Sequence, residues 1–110
     1  MKAAAHPSKQ KDRTPTILRL ERNNTEIGTL EDKLNSYICE PKTAGLYELM
    51  ESLKQRLSRM RQHNMEAIKA LRQPSKLLDS QKTTIKKQLK DFKELEDSVF
   101  EYIGMVRMHC

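Results

Sequence analysis

Residues 46–71 read LYELMESLKQRLSRMRQHNMEAIKAL, and the spacing of the apolar residues in this stretch decides the fold. Leu46, Met50, Leu53, Leu57, Met60, Asn64, Ala67 and Leu71 follow one another in alternating steps of four and three. Steps of that kind return each residue to one stripe of an α-helix. With Met50, Leu57, Asn64 and Leu71 at heptad position a, position d holds Leu46, Leu53, Met60 and Ala67. The same count carried past Pro74 places Leu78, Ile85, Phe92, Val99 and Val106 at a, and Gln81, Gln88, Leu95 and Tyr102 at d. A period kept over about nine heptads exceeds the amphipathicity of an ordinary surface helix and specifies helix-on-helix packing.

Pro74 interrupts this run within Arg72-Gln73-Pro74-Ser75. Inside a helix a proline removes one hydrogen bond and clashes with the preceding turn, at about 3 kcal/mol. The chain therefore either kinks or turns back over residues 73–79, with Asp79 or Ser80 capping the returning helix. Flanking charges separate the two. A parallel homodimer would set Arg56 against Arg61 and Asp91 against Glu96, both repulsive. An antiparallel arrangement whose partners sum to 152 gives apolar layers instead: Leu46 with Val106, Met50 with Tyr102, Leu53 with Val99, Leu57 with Leu95, Met60 with Phe92 and Ala67 with Ile85. Asn64 then meets Gln88, so the two interior amides share a layer, a device that penalises slipped registers. Lys54 falls near Glu96 and His63 near Asp91. An antiparallel dimer of unbroken helices makes the same pairs between chains, and the pattern does not separate it from the hairpin.

Upstream, residues 1–14 are polar and basic with Pro7, and read as a disordered tail. Thr14-Pro15 signals a helix start with Ile17, Leu18 and Leu20 on its apolar face. Asn23-Asn24-Thr25 should interrupt it, and a second segment from Thr25 or Thr29 to Cys39 carries Ile27, Leu30, Leu34, Tyr37 and Ile38, ending before Pro41. The expectation is thus an all-α, elongated antiparallel helical hairpin or coiled coil over residues 44–107, with short N-terminal helical segments over residues 15–40.

The 110 residues are 36% hydrophobic, 33% charged and 5% aromatic, with no tryptophan, a composition suited to thin helical seams rather than a thick core. No segment has the 18 or so apolar residues of a membrane span, and residues 1–13 lack the apolar region of a secretory signal. Cys39 and Cys110 form no disulfide framework and no metal-ligand spacing, which suggests reduced thiols and an intracellular setting, cytoplasmic or nuclear. The chosen register brings the two thiols to the same end, within reach of each other.

Catalytic groups do not converge. His6, His63 and His109 are scattered, no serine or cysteine nucleophile reaches the His63–Asp91 pair, and three dispersed glycines make no phosphate loop. Glu94, Glu96, Asp97 and Glu101 lack calcium-loop spacing. The expectation is a non-enzymatic protein with no catalytic, cofactor or metal residues.

Two surfaces remain as candidates. At the open end of the hairpin, Tyr47, Leu49, Phe100 and Ile103 broaden the seam of Leu46, Met50, Leu53, Val99, Tyr102 and Val106 beyond what two helices need. This excess calls for a third helix, supplied by the chain's own Ile27, Leu30, Leu34 and Ile38, by another protein, or by a second copy. The second surface is electrostatic. Residues 54–90 hold eleven Lys/Arg against two Asp/Glu, whereas residues 23–53 and 91–110 are net acidic. Lys54, Arg56, Arg59, Arg61, Lys86 and Lys87 are candidate contacts for a polyanion such as nucleic acid, an acidic polypeptide tail or an anionic membrane. Against that reading, aromatics for base stacking are absent from the stretch. The sequence favours a coiled-coil scaffold or adaptor subunit that assembles with partner helices or as a homo-oligomer, with polyanion binding as the alternative.

Overall fold

The computed structural model describes residues 5–36 and 41–108, with side chains from Arg13 onward. Three helices account for almost all of it: α1 (Ala5–Leu34), α2 (Ala44–Arg72) and α3 (Asp79–Met108). They run up, down and up as an elongated bundle of 63 × 20 × 16 Å, and the described residues contain no strand.

Each end of the hairpin has a local cause. The Thr43 hydroxyl accepts from the Leu46 N–H at 3.1 Å, capping α2. Lys69 and Arg72 occupy the last turn of α2, where cations favour the negative end of the helix dipole. Gln73 is already extended (φ −74°, ψ 145°), as a residue preceding proline prefers. Pro74 thus ends the helix rather than kinking it. The turn occupies residues 73–78, and neither Asp79 nor Ser80 is the cap. Leu78 holds that position, its N–H donating at 2.8 Å to the Gln81 side chain, which reaches back as in a capping box. The heptad count therefore fails for one turn after Pro74. Leu78 is 65% exposed while Leu77 packs against the core, and Gln81 caps instead of filling a layer.

The register over the rest of the hairpin is the antiparallel one. Gln88 Nε2 donates to Asn64 Oδ1 at 2.6 Å, and Asn64 Nδ2 donates to Asn24 Oδ1 at 2.9 Å. One amide from each helix thus joins a single layer that divides the core in two. On one side lie Ile27, Leu30, Leu34, Met50, Leu53, Leu57, Phe92, Leu95, Val99, Tyr102, Ile103 and Val106; on the other lie Leu20, Ala67, Leu71 and Ile85. Complete burial of a leucine or isoleucine contributes about 1.5–3 kcal/mol, so these layers hold the rod together.

The N-terminal region departs from expectation. Residues 5–14 are helical rather than a disordered tail, and α1 passes unbroken through Pro15 and Asn23-Asn24-Thr25. Pro7 falls in the first turn of α1, where its missing N–H has no acceptor to lose. Pro15 lies in the interior and opposes the helix there. Two residues before it, the Arg13 guanidinium donates to the carbonyls of Gln73 at 2.6 Å and Ser75 at 2.8 Å, and reaches that of Leu71 at 3.4 Å. These bonds fasten α1 to the end of α2 and the turn. Asn24 is not a helix breaker because its side chain is spent on Asn64. The Thr25 and Thr29 hydroxyls donate to carbonyls four residues back, Glu21 at 3.2 Å and Thr25 at 3.4 Å, so they compete little with the backbone. Tertiary partners outweigh the weak helix propensity of this stretch. Tyr37, Ile38, Cys39 and Cys110 lie outside the described residues.

Candidate interaction surfaces

α1 lies along the hairpin face for which an excess of apolar side chains was expected. Met50, Leu53, Val99, Tyr102, Ile103 and Val106 are all buried, in the same cluster as Ile27, Leu30 and Leu34. Leu46 and Leu49 are half-buried against that cluster. Of the ten open-end candidates, only Tyr47 (53%) and Phe100 (49%) keep about half of their surface. The chain's own third helix thus fills most of the surplus.

It does not reach the end. Asn24 is level with Asn64 and Gln88, so Leu34, ten residues further along, is level with about residue 54 of α2 and residue 98 of α3. The hairpin continues past it for some ten residues on each strand, about 15 Å of rod. Tyr47, Phe100 and the largely exposed Met108 belong to this extension. A groove of about 420 Å³ opens where α1 stops, lined by Leu34, Asn35, Ser36, Pro41, Tyr47, Met50 and Lys54.

The basic candidates separate into different environments. Arg61 grips Glu31 of α1 with both guanidinium nitrogens, Nη1 donating to Oε2 at 3.1 Å and Nη2 to Oε1. Arg72 bonds Glu21 at 2.6 Å, a second tie between α2 and α1. Lys87 donates to Asp91 at 2.7 Å, one turn along α3. That hydrogen bond, and then the charge of Asp91, raise the Lys87 pKa above its ordinary 10.5. Lys54 lies 3.8 Å from Glu51, while Glu96 lies 3.6 Å from Lys93, so the expected neighbours Lys54 and Glu96 pair within their own helices. Arg56 and Arg59 line a shallow groove with His63, Lys87, Asp91 and Glu94 on the side of the hairpin away from α1. His63 and Asp91 do face one groove, but Asp91 is committed to Lys87. Lys86 is elsewhere, at the turn end, in a cleft with Arg13, Lys76 and Lys82.

Two roles had no sequence signal. Arg13 sits in a stretch with no periodicity to mark it, and Leu77 stands one place off the heptad count. Among the described residues no cluster of His, Cys, Asp and Glu is arranged to hold a metal ion, and no helix is long and apolar enough to cross a membrane. The arrangement defines an elongated antiparallel three-helix bundle. Comparison with protein-family models, curated proteins and solved structures yields no match to this chain.

Proposed function

We propose that the chain is a non-enzymatic assembly subunit that docks an amphipathic helix, from a partner protein or a second copy, on the open end of its hairpin. The observation that carries this reading is the axial offset of α1, which is as long as its neighbours but stops short of the open end. Two helices run about 15 Å beyond the third and leave Phe100 and Tyr47 half-exposed, Tyr47 lining an open groove. Aromatic side chains set in a partly covered apolar surface are the usual anchors of helix-in-groove recognition.

The basic half supports this reading over general polyanion binding. Lys54, Arg61, Arg72 and Lys87 stand against carboxylates, so four of the eleven cations of residues 54–90 are neutralised in place. An intracellular setting belongs to the same reading and rests on the two isolated cysteines of the sequence.

The test is sedimentation analysis and lysate capture with Tyr47→Glu and Phe100→Glu. Loss of self-association or of captured helical partners, with helicity retained, supports the proposal. Unchanged association in both variants contradicts it.

A further inference from the structure

At the opposite end of the rod, α1, the turn and α3 enclose a cleft of about 450 Å³. Leu71, Leu77 and Ile85 give it an apolar floor. Arg13 of α1, Lys76 of the turn, and Lys82 and Lys86 of α3 bring four cations from three elements to its rim. No carboxylate is among the described residues that line it. This distinguishes the cleft from the middle of the rod, where cations pair with acids.

Arg13 is held by neutral carbonyls, which fix the guanidinium while offsetting only the partial charge of a helix end. Lys82 stands in the first turn of α3, where the helix dipole disfavours a cation. Lys86 follows four residues later, so the two ammonium groups repel along one helix face. Charge placed against local stability in this way is expected where a sequence serves binding.

We propose that this cleft binds an acidic amphipathic segment of a partner protein. One or two apolar side chains of the segment seat on Leu71, Leu77 and Ile85, and flanking carboxylates meet Lys76, Lys82 and Lys86. The volume lies within the range of about 300–1,000 Å³ typical of ligand clefts. A recessed apolar floor beneath a charged rim receives a projecting side chain. A bilayer calls for the reverse, apolar groups that project, whereas Leu71 and Ile85 of this floor are buried. Nucleic acid would leave the floor unfilled, and no aromatic lines the cleft for base stacking. The site is independent of the open-end reading, at the other end of the molecule.

Fluorescence anisotropy with the full chain tests the proposal. The probe is a labelled helical peptide of glutamates with leucine at every third or fourth position. Comparators are the same peptide with serine for leucine, a single-stranded oligonucleotide, and phosphatidylcholine–phosphatidylserine vesicles. The leucine peptide should bind at least about tenfold more tightly than the serine peptide, and it should shift the amide resonances of Leu77 and Ile85. Lys82→Glu combined with Lys86→Glu should weaken binding about tenfold with helicity retained. If that pair unfolds the chain, Lys76→Gln with Lys86→Gln should still weaken binding about threefold. Tyr47→Glu should leave peptide binding unchanged, which separates failure here from failure at the open end.

Absence of binding at about 1 mM peptide overturns the proposal. So do equal binding of the serine peptide, tighter binding of oligonucleotide or vesicles, and variants that bind like the native chain. A dimer of the chain alone that competes with the peptide would assign the cleft to a second copy and overturn the partner.

Discussion

Replacing Asn64 by alanine removes the one residue that bonds both neighbouring helices through the amide layer. Asn64 is 0% exposed and uses both ends of its amide, accepting from Gln88 and donating to Asn24. A net contribution of about 1 kcal/mol per hydrogen bond gives about 2 kcal/mol for the pair. The stranded partners add to this unequally. Gln88 is only 8% exposed and finds little water, so its unpaired donor costs about 1–2 kcal/mol more. Asn24 is half-buried and is compensated by solvent. The total is about 3–4 kcal/mol, or roughly 12–16 °C in Tm for a chain of this size. The contrast is Asn24→Leu, Asn64→Leu and Gln88→Leu in one chain, which strands nothing and should be neutral or stabilising while permitting slipped or swapped states. Circular dichroism melts and urea titrations read both stabilities, and sedimentation reads the association state. An Asn64→Ala chain within about 0.5 kcal/mol of the native one would refute the reasoning, because it would mean that the amides are solvated rather than coupled.

Four further outcomes follow from the same contacts. Arg13→Ala should lower stability by about 1–2 kcal/mol and increase protease cleavage within residues 73–78, since three carbonyls of the turn region lose their donor. Glu31→Gln should cost no more than about 1 kcal/mol, and less in high salt, because the Arg61 pair is only half-buried. The Lys87–Asp91 bond raises the folded-state pKa of Lys87, so its support of α3 is complete below the ordinary value of 10.5 and is lost as pH rises through the raised value. Lys87→Gln should flatten that alkaline fall in helicity. Pro74→Ala should increase an antiparallel dimer at high concentration, seen by light scattering, because nothing else in Gln73-Pro74-Ser75 forbids a continuous helix.

The hairpin was legible because a seven-residue period is a geometric statement: residues that share a stripe must share a partner. The same logic pairs Asn64 with Gln88. It had no means of finding Asn24, since an asparagine in Asn23-Asn24-Thr25 is a poor helix former whose contribution depends on a residue forty positions away. Arg13 was hidden for the same reason, its acceptors being backbone carbonyls, which carry no sequence signature. The surplus of apolar residues at the open end correctly called for a third helix. Composition could not show that this helix would stop short and leave Tyr47 and Phe100 half-exposed. The charge blocks were plain to read, but pairing across helices decides which cations remain available, and only the placement of Glu21 and Glu31 on α1 settles it.

The central claim is that one chain folds back through an amide layer joining all three helices. Nuclear Overhauser contacts of the Asn64 side-chain amide, recorded on a mixture of differently labelled chains, test it most directly. Contacts from Asn64 to Gln88 and to Asn24 within the same chain, with slowly exchanging amide protons, are the expected result. Contacts only between differently labelled chains, or rapid exchange with no contact to either residue, would contradict it.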